Sequence, residues 1–174
     1  MLKTRLAVTV VSLLAVVPRA GVVSAAEKFP DYPVRPASEY AITATRAGVT
    51  IGVQPIDDPE DQKTYFHERL TQHGFVPVFI VIQNGSKVDS YLFDQTTVGY
   101  GGAFYNFAPN RGLTHVQENL MKKQVKSNTL SPGASIHGFL YIPVPKKGPR
   151  EKVHLQVPIT KAGTSETFVL NVFF

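Results

Sequence analysis

Residues 74–84 read Gly-Phe-Val-Pro-Val-Phe-Ile-Val-Ile-Gln-Asn, and the fold turns on how this run is read. Seven of its residues are Val, Ile or Phe, and none is charged. A short β-branched and aromatic run bounded by Gly and by Asn-Gly describes a strand buried on both faces. Pro77 removes one ladder donor, so regular pairing is expected from Val78. Asn84-Gly85 is a tight-turn dipeptide, and residues 87–96, with Val88, Tyr91 and Phe93 apolar, are expected to return as the partner strand. That turn role also accounts for the Asn84-Gly85-Ser86 sequon without a glycan.

Upstream, residues 39–45 and 49–53 read as strands, with Gly48 turning the chain and Gly52 bending or bulging the second strand. A helix over residues 59–72 then leads into the central strand. Asp58 caps it, Pro59 suits its first position, and Glu60 and Asp61 complement its dipole. Tyr65, Phe66 and Leu70 give it one apolar face, and Gly74 stops it.

Downstream, residues 98–112 set four glycines among Tyr100, Phe104, Tyr105 and Phe107. Glycine at this density argues against regular structure, and the aromatics argue against a fully solvated loop. Thr114 and Gln117 can form a capping box for a second helix over residues 115–126. Val116, Leu120, Met121 and Val125 follow its spacing. Three strands finish the chain: 134–144, a half-buried run with Val153, Leu155, Val157 and Ile159 inward, and 168–174 with Phe168, Leu170, Val172 and Phe174 inward. The sum is an antiparallel β-sandwich of about seven strands with two short helices, about 59–72 and 115–126.

The N-terminus points to a compartment. Lys3 and Arg5 precede an apolar run over residues 6–17 and a small-residue stretch ending at Ala25-Ala26. This is the pattern of a secretory signal peptide, residues 1–26, cut after Ala25 or Ala26. The run is too short for a transmembrane span, so no membrane anchor is expected after cleavage. The expected address is extracytoplasmic, either periplasmic or secreted. About 148 residues then remain, which suits one domain, residues 39–174. Residues 27–38 carry Pro30, Pro33 and Pro36 and read as an extended, PPII-like leader that tethers the domain. The chain has no cysteine, which excludes disulfides and thiolate metal sites and favours a bacterial origin. Cleavage removes Lys3, Arg5 and Arg19 and no acid, taking the formal net charge from +5 to +2. Nucleic-acid binding is not expected from such a chain.

Leu130-Ser131-Pro132-Gly133, followed by Gly138-Phe139-Leu140-Tyr141-Ile142-Pro143-Val144-Pro145, completes a pattern begun at the strand-ending Asn84-Gly85-Ser86. It resembles exported bacterial immunoglobulin-like domains of unknown function over about residues 75–159. Ile142 stands where those domains usually carry an aromatic, and residues 59–72 and 98–126 lie outside the pattern. The resemblance implies a fold and an extracytoplasmic address, and it brings no catalytic residues.

Catalytic and metal motifs are weak. His67-Glu68 suggests a zinc helix, but His73 is six positions from His67 and faces another side of a helix. His115, His137 and His154 are isolated in sequence. Asp57, Asp58, Glu60 and Asp61 lack calcium-loop spacing, and a helix N-terminus explains them. Nucleophile-elbow, phosphate-loop and dinucleotide spacings are missing. No cofactor and no metal are expected.

Two surfaces remain. Tyr100, Phe104, Tyr105 and Phe107 can stack on a sugar or grip a partner, or can plug one end of the fold. Lys122, Lys123, Lys126, Lys146, Lys147 and Arg150 can meet anionic lipid or cell-wall polymer, or can be an ordinary solvated face. The expectation is a non-enzymatic binding or accessory module of the bacterial cell envelope, with an envelope protein or glycan as partner. One alternative is an assembly subunit that pairs through the last strand, where Val169 and Phe173 point outward. The other is an envelope enzyme or metal carrier built from dispersed His and acidic residues.

Overall fold

The computed structural model describes residues 29–144 and 152–174. The expected signal peptide, and Lys146, Lys147 and Arg150 of the basic surface, lie outside the described residues. The fold is mainly β, with antiparallel sheets and two α-helices.

The first sheet has four strands: β1 (Ile42–Arg46), β2 (Val49–Pro55), β3 (Phe75–Asn84) and β8 (Ser135–Pro143), in the order β1-β2-β3-β8. The second contains β4 (Tyr91–Phe93), β5 (Gly99–Tyr100), β6 (Ala103–Phe104), β7 (Asn128–Leu130), β9 (His154–Lys161) and β10 (Thr167–Phe173). Its order is β6-β5-β9-β4-β7, with β10 along the other edge of β9. Helix α1 spans Pro59–Phe66 and α2 spans Gln117–Lys123. The described residues hold ten strands where about seven were expected, because the aromatic insert and the segment after α2 each contribute short pieces of ladder.

The run that opened the reading is β3, and its residues from Val76 to Ile82 are buried. Its faces have different covers. On one, Phe79 packs against Phe139 of β8 and Tyr32 of the leader, with ring centroids 5.0 and 4.7 Å apart. Phe66 of α1 closes over Phe139 at 4.9 Å. The other face joins residues of β4, β9 and β10 in a single buried cluster. Each such Phe or Ile contributes roughly 1.5–3 kcal/mol by leaving water.

Several expectations are corrected. Residues 87–96 do not return beside β3, whose neighbours are β2 and β8. The chain instead crosses to the second sheet after Asn84, forms only Tyr91–Phe93, and leaves Val88 82% exposed. Pairing of β3 begins at Phe75, not Val78, since the β8 ladder runs from Phe75 opposite Pro143. Pro77 does no harm there. Its carbonyl accepts from Ile56, so its missing N–H faces the same side, beyond the last β2 pair. Pro158 follows the same logic. The Lys161 N–H points to the β10 side, so Pro158, three residues back, points to the other, into the gap between the β4 and β5 ladders.

Gly52 is not a bulge, because its register with Thr43 is continuous. It is glycine because an added Cβ would lie 2.4 Å from the Ala37 carbonyl oxygen. The leader packs there and is no free tether. Ala37–Glu39 form a 3-10 turn, Ala37 and Tyr40 are buried, and Phe29 meets His67 at 4.2 Å.

Both helices are shorter than expected. The first stops at His67, which takes a left-handed conformation (φ 55°), and a separate 3-10 turn, Leu70–His73, precedes Gly74. The buried Gln62 links the two pieces: its Nε2 donates to the Ile56 carbonyl and its Oε1 accepts from the Thr71 N–H. The second helix lacks the Thr114 box, since the Thr114 hydroxyl turns back to the Arg111 carbonyl and Val116 is the cap. It ends at Lys123 because Gln124 and Val125 join the edge of β8. Gly138 permits this approach: a Cβ there would sit 2.5 Å from the Val125 nitrogen.

Candidate functional site

The aromatic insert is pinned at two points and presents a third. Its core is a small hairpin, β5 and β6, turned by Gly101 and Gly102 with φ of 52° and 85°. Two consecutive positive φ values suit the right-handed twist of a two-residue hairpin. The Tyr105 N–H then closes on the Val98 carbonyl at 2.7 Å. Tyr105 enters the core, where its hydroxyl accepts from Gln124 Nε2 at 2.7 Å and from the Tyr141 N–H at 3.3 Å. Burial pushes its phenol up to about 12, despite those two donors. Phe107 packs on Tyr141 and Phe75, with centroids 4.4 and 5.3 Å away. Tyr105 and Phe107 are therefore core residues and offer no face to a partner. Tyr100 pairs with Leu155 on the inward side and is half-buried. Phe104 alone of the four stands clear, at 75% exposure.

Register places Phe104 on a defined surface. It is opposite Gly99, Gly99 is opposite Gln156, and Gln156 is opposite Asn171. Directly paired residues share a face, so one rung crosses four strands on the outer side of the second sheet. Lacking a side chain, Gly99 lets the Gln156 side chain lie over it and is itself buried; a Cβ there would lie 3.2 Å from Gln156 Oε1. One step along, Phe173 stacks on His154 at 4.3 Å and 12°. His154 Nε2 is 2.8 Å from Asn171 Oδ1. Toward the other end, Leu92 faces Thr160, whose hydroxyl is 2.9 Å from that of Thr167. None of these outward residues of β4, β5, β6, β9 or β10 is Asp, Glu, Lys or Arg.

Of the basic residues, Lys122, Lys123 and Lys126 are described, and each has a partner of its own. Lys122 pairs with Glu118 at 2.7 Å on exposed helix surface, and Lys126 caps the Met121 carbonyl. Lys123 donates to the Pro30 carbonyl of the leader, and desolvation lowers its pKa although Asp31 lies near. Lys122 and Lys123 border a groove of about 720 Å³ between the leader and α2. Phe79 and Phe139 floor it, Tyr32 and Val34 wall it, and His137 lies at its edge.

A third constellation joins residues far apart in sequence. Glu68 Oε1 is 3.5 Å from His73 Nε2, and Glu68 Oε2 is 3.2 Å from His115 Nε2. Partial burial pushes the Glu68 carboxyl up, but the Arg69 N–H and the two imidazoles hold it below its usual value. The cluster ties the 3-10 turn after α1 to the approach to α2. Among the described residues, no group of three or more His, Cys, Asp or Glu is arranged to hold a metal. Nor is any described helix long and apolar enough to cross a membrane.

Sequence reasoning singled out Phe104 and the outward Phe173, but not Gln156, Asn171 and His154 between them. The signal was there: two alternating strands whose outward positions carry amides, Thr and aromatics without a charge. It also missed the leader groove and the convergence on Glu68, which depend on chain crossings. Compared with protein-family models, curated proteins and solved structures, the chain matches none.

Proposed function

We propose that the chain is an exported, non-enzymatic binding module of the bacterial cell envelope, with an immunoglobulin-like sandwich as its scaffold. The N-terminal pattern supports the address. Two antiparallel sheets around one buried cluster, with chain crossings after β3, β7 and β8, support the scaffold. The observation that carries the binding reading is the exposure of Phe104 on an otherwise regular sheet face. The insert anchors Tyr105 and Phe107 in the core and holds Phe104 in solvent on the same rung as Gln156, two strands away. Phe104 shares this face with the exposed Phe173 and Leu92, and exposed apolar residues gathered on one face, more than a single one, mark a contact surface.

The test is cosedimentation of the exported protein with purified envelope fragments. Phe104→Ala combined with Phe173→Ala is expected to weaken retention by about tenfold, or 1.4 kcal/mol, at unchanged melting temperature. Retention equal to wild type would defeat the assignment of this face.

A further inference from the structure

We infer that the outer face of the second sheet is a seat for a neutral polysaccharide. This rests on the binding reading above and adds the chemistry of the partner. A soluble surface ordinarily carries Lys, Arg, Asp or Glu at about a quarter to a third of its positions. The strands of this face project none, although charged residues are 18% of the chain. Exposed Lys152 and Asp94 continue the outward rows of β9 and β4 past their ends, so a partner recognised through phosphate, carboxylate or ammonium would find counter-charge only at the margins of this face. A neutral glycan needs none. Its C–H faces stack on aromatic rings, and its hydroxyls both donate and accept. Phe104 and Phe173, 75% and 60% exposed, supply the rings. Gln156 and Asn171 supply amides that donate and accept in the same place.

The spacing fits an extended chain better than a single sugar. Phe104 and Asn171 lie three strand intervals apart, about 14 Å, and Phe173 is two residues further along β10, about 7 Å. Gln156 sits between the two rings and Asn171 beside Phe173 on β10, so a glycan lying across the strands would stack at each end and hydrogen-bond to Gln156 in the middle. A second copy of this chain fits less well. Protein interfaces place apolar groups at the centre and polar groups at the rim, whereas here Gln156 lies between the rings.

The experiment is affinity electrophoresis of the exported protein through gels containing a neutral glucan, mannan or galactan, with alginate as the anionic control. At least one neutral glycan is expected to retard the protein, equally at low and high salt, because no ion pair is involved. Phe104→Ala with Phe173→Ala should reduce retardation by about tenfold, and Phe104→Trp should preserve it. Retardation by none of the neutral glycans, with sedimentation on envelope fragments intact, overturns the glycan inference and leaves the binding reading standing. Loss of both overturns both. Retardation by alginate alone overturns the inference, as does a wild-type dimer that the double substitution dissociates.

Discussion

Asn84 Nδ2 donates to the Leu130 carbonyl at 3.1 Å, bonding the end of β3 in one sheet to the end of β7 in the other. The same amide nitrogen reaches the Asp89 carbonyl at 2.8 Å, and its oxygen accepts from the Ser86 N–H at 2.9 Å. The side chain is fully buried, so the sequon asparagine is a rivet between sheets. Asn84→Ala leaves two carbonyls and one N–H without their partner in a dry site. It should cost about 3 kcal/mol in chemical denaturation. A loss below about 1 kcal/mol would mean water replaces the amide.

Gly52→Ala tests the seating of the leader. The new Cβ would meet the Ala37 carbonyl oxygen and Tyr40 Cδ2, at 2.4 and 2.5 Å. Backbone cannot give way as a side-chain tip can, so the leader turn should lift from β2. Limited proteolysis within residues 29–38 is expected to accelerate. Cleavage at the wild-type rate would show that the leader does not depend on this contact.

Tyr105→Phe removes the acceptor for Gln124 Nε2 and for the Tyr141 N–H, both buried. A destabilisation of about 1–3 kcal/mol follows, measured by thermal or denaturant unfolding. The wild-type phenol gives a second readout. Its pKa is raised from 10.0 to about 12 in the folded state. Its contribution is therefore complete below pH 10 and is lost as pH rises toward 12. Ultraviolet titration should show Tyr105 ionising late together with the buried Tyr141, and one late ionisation fewer in the Phe variant.

Glu68 gives pH dependence of the opposite sign. Its folded carboxyl lies below the ordinary value of 4.5, so its contribution is present above that value and is lost as pH falls through the lowered one. The stability difference between wild type and Glu68→Gln should shrink on acidification below about pH 4.5. A difference that stays constant down to the acid limit would show that His73 and His115 do not stabilise the carboxylate.

The sequence made the central strand legible because both its faces are buried, which leaves a continuous apolar run. It made β9 and β10 legible because only one face is, which leaves clean alternation: Leu155, Val157 and Ile159 are buried, as are Phe168, Leu170 and Val172. The partner of β3 was not legible. Asn84-Gly85 has the composition of a hairpin turn, but the buried side chain of Asn84 sends the chain across to the other sheet. Helix lengths were overread for a related reason, since apolar periodicity continues through residues that a tertiary contact diverts, such as Gln124 beside Phe139. At the candidate face, the aromatic residues were visible as types, but which of them stood outward depended on the parity of the β5–β6 hairpin. That parity puts Phe104 with Gln156 and Tyr100 with Leu155.

The central claim is that this protein meets its partner with the outer face of the second sheet. Covalent footprinting of the protein, with and without purified envelope fragments, tests it most directly. Phe104 and Phe173 should become protected, while Tyr32 and Val34 of the leader groove keep their labelling. Protection confined to Tyr32 and Val34, or no protection in a bound sample, would contradict the account.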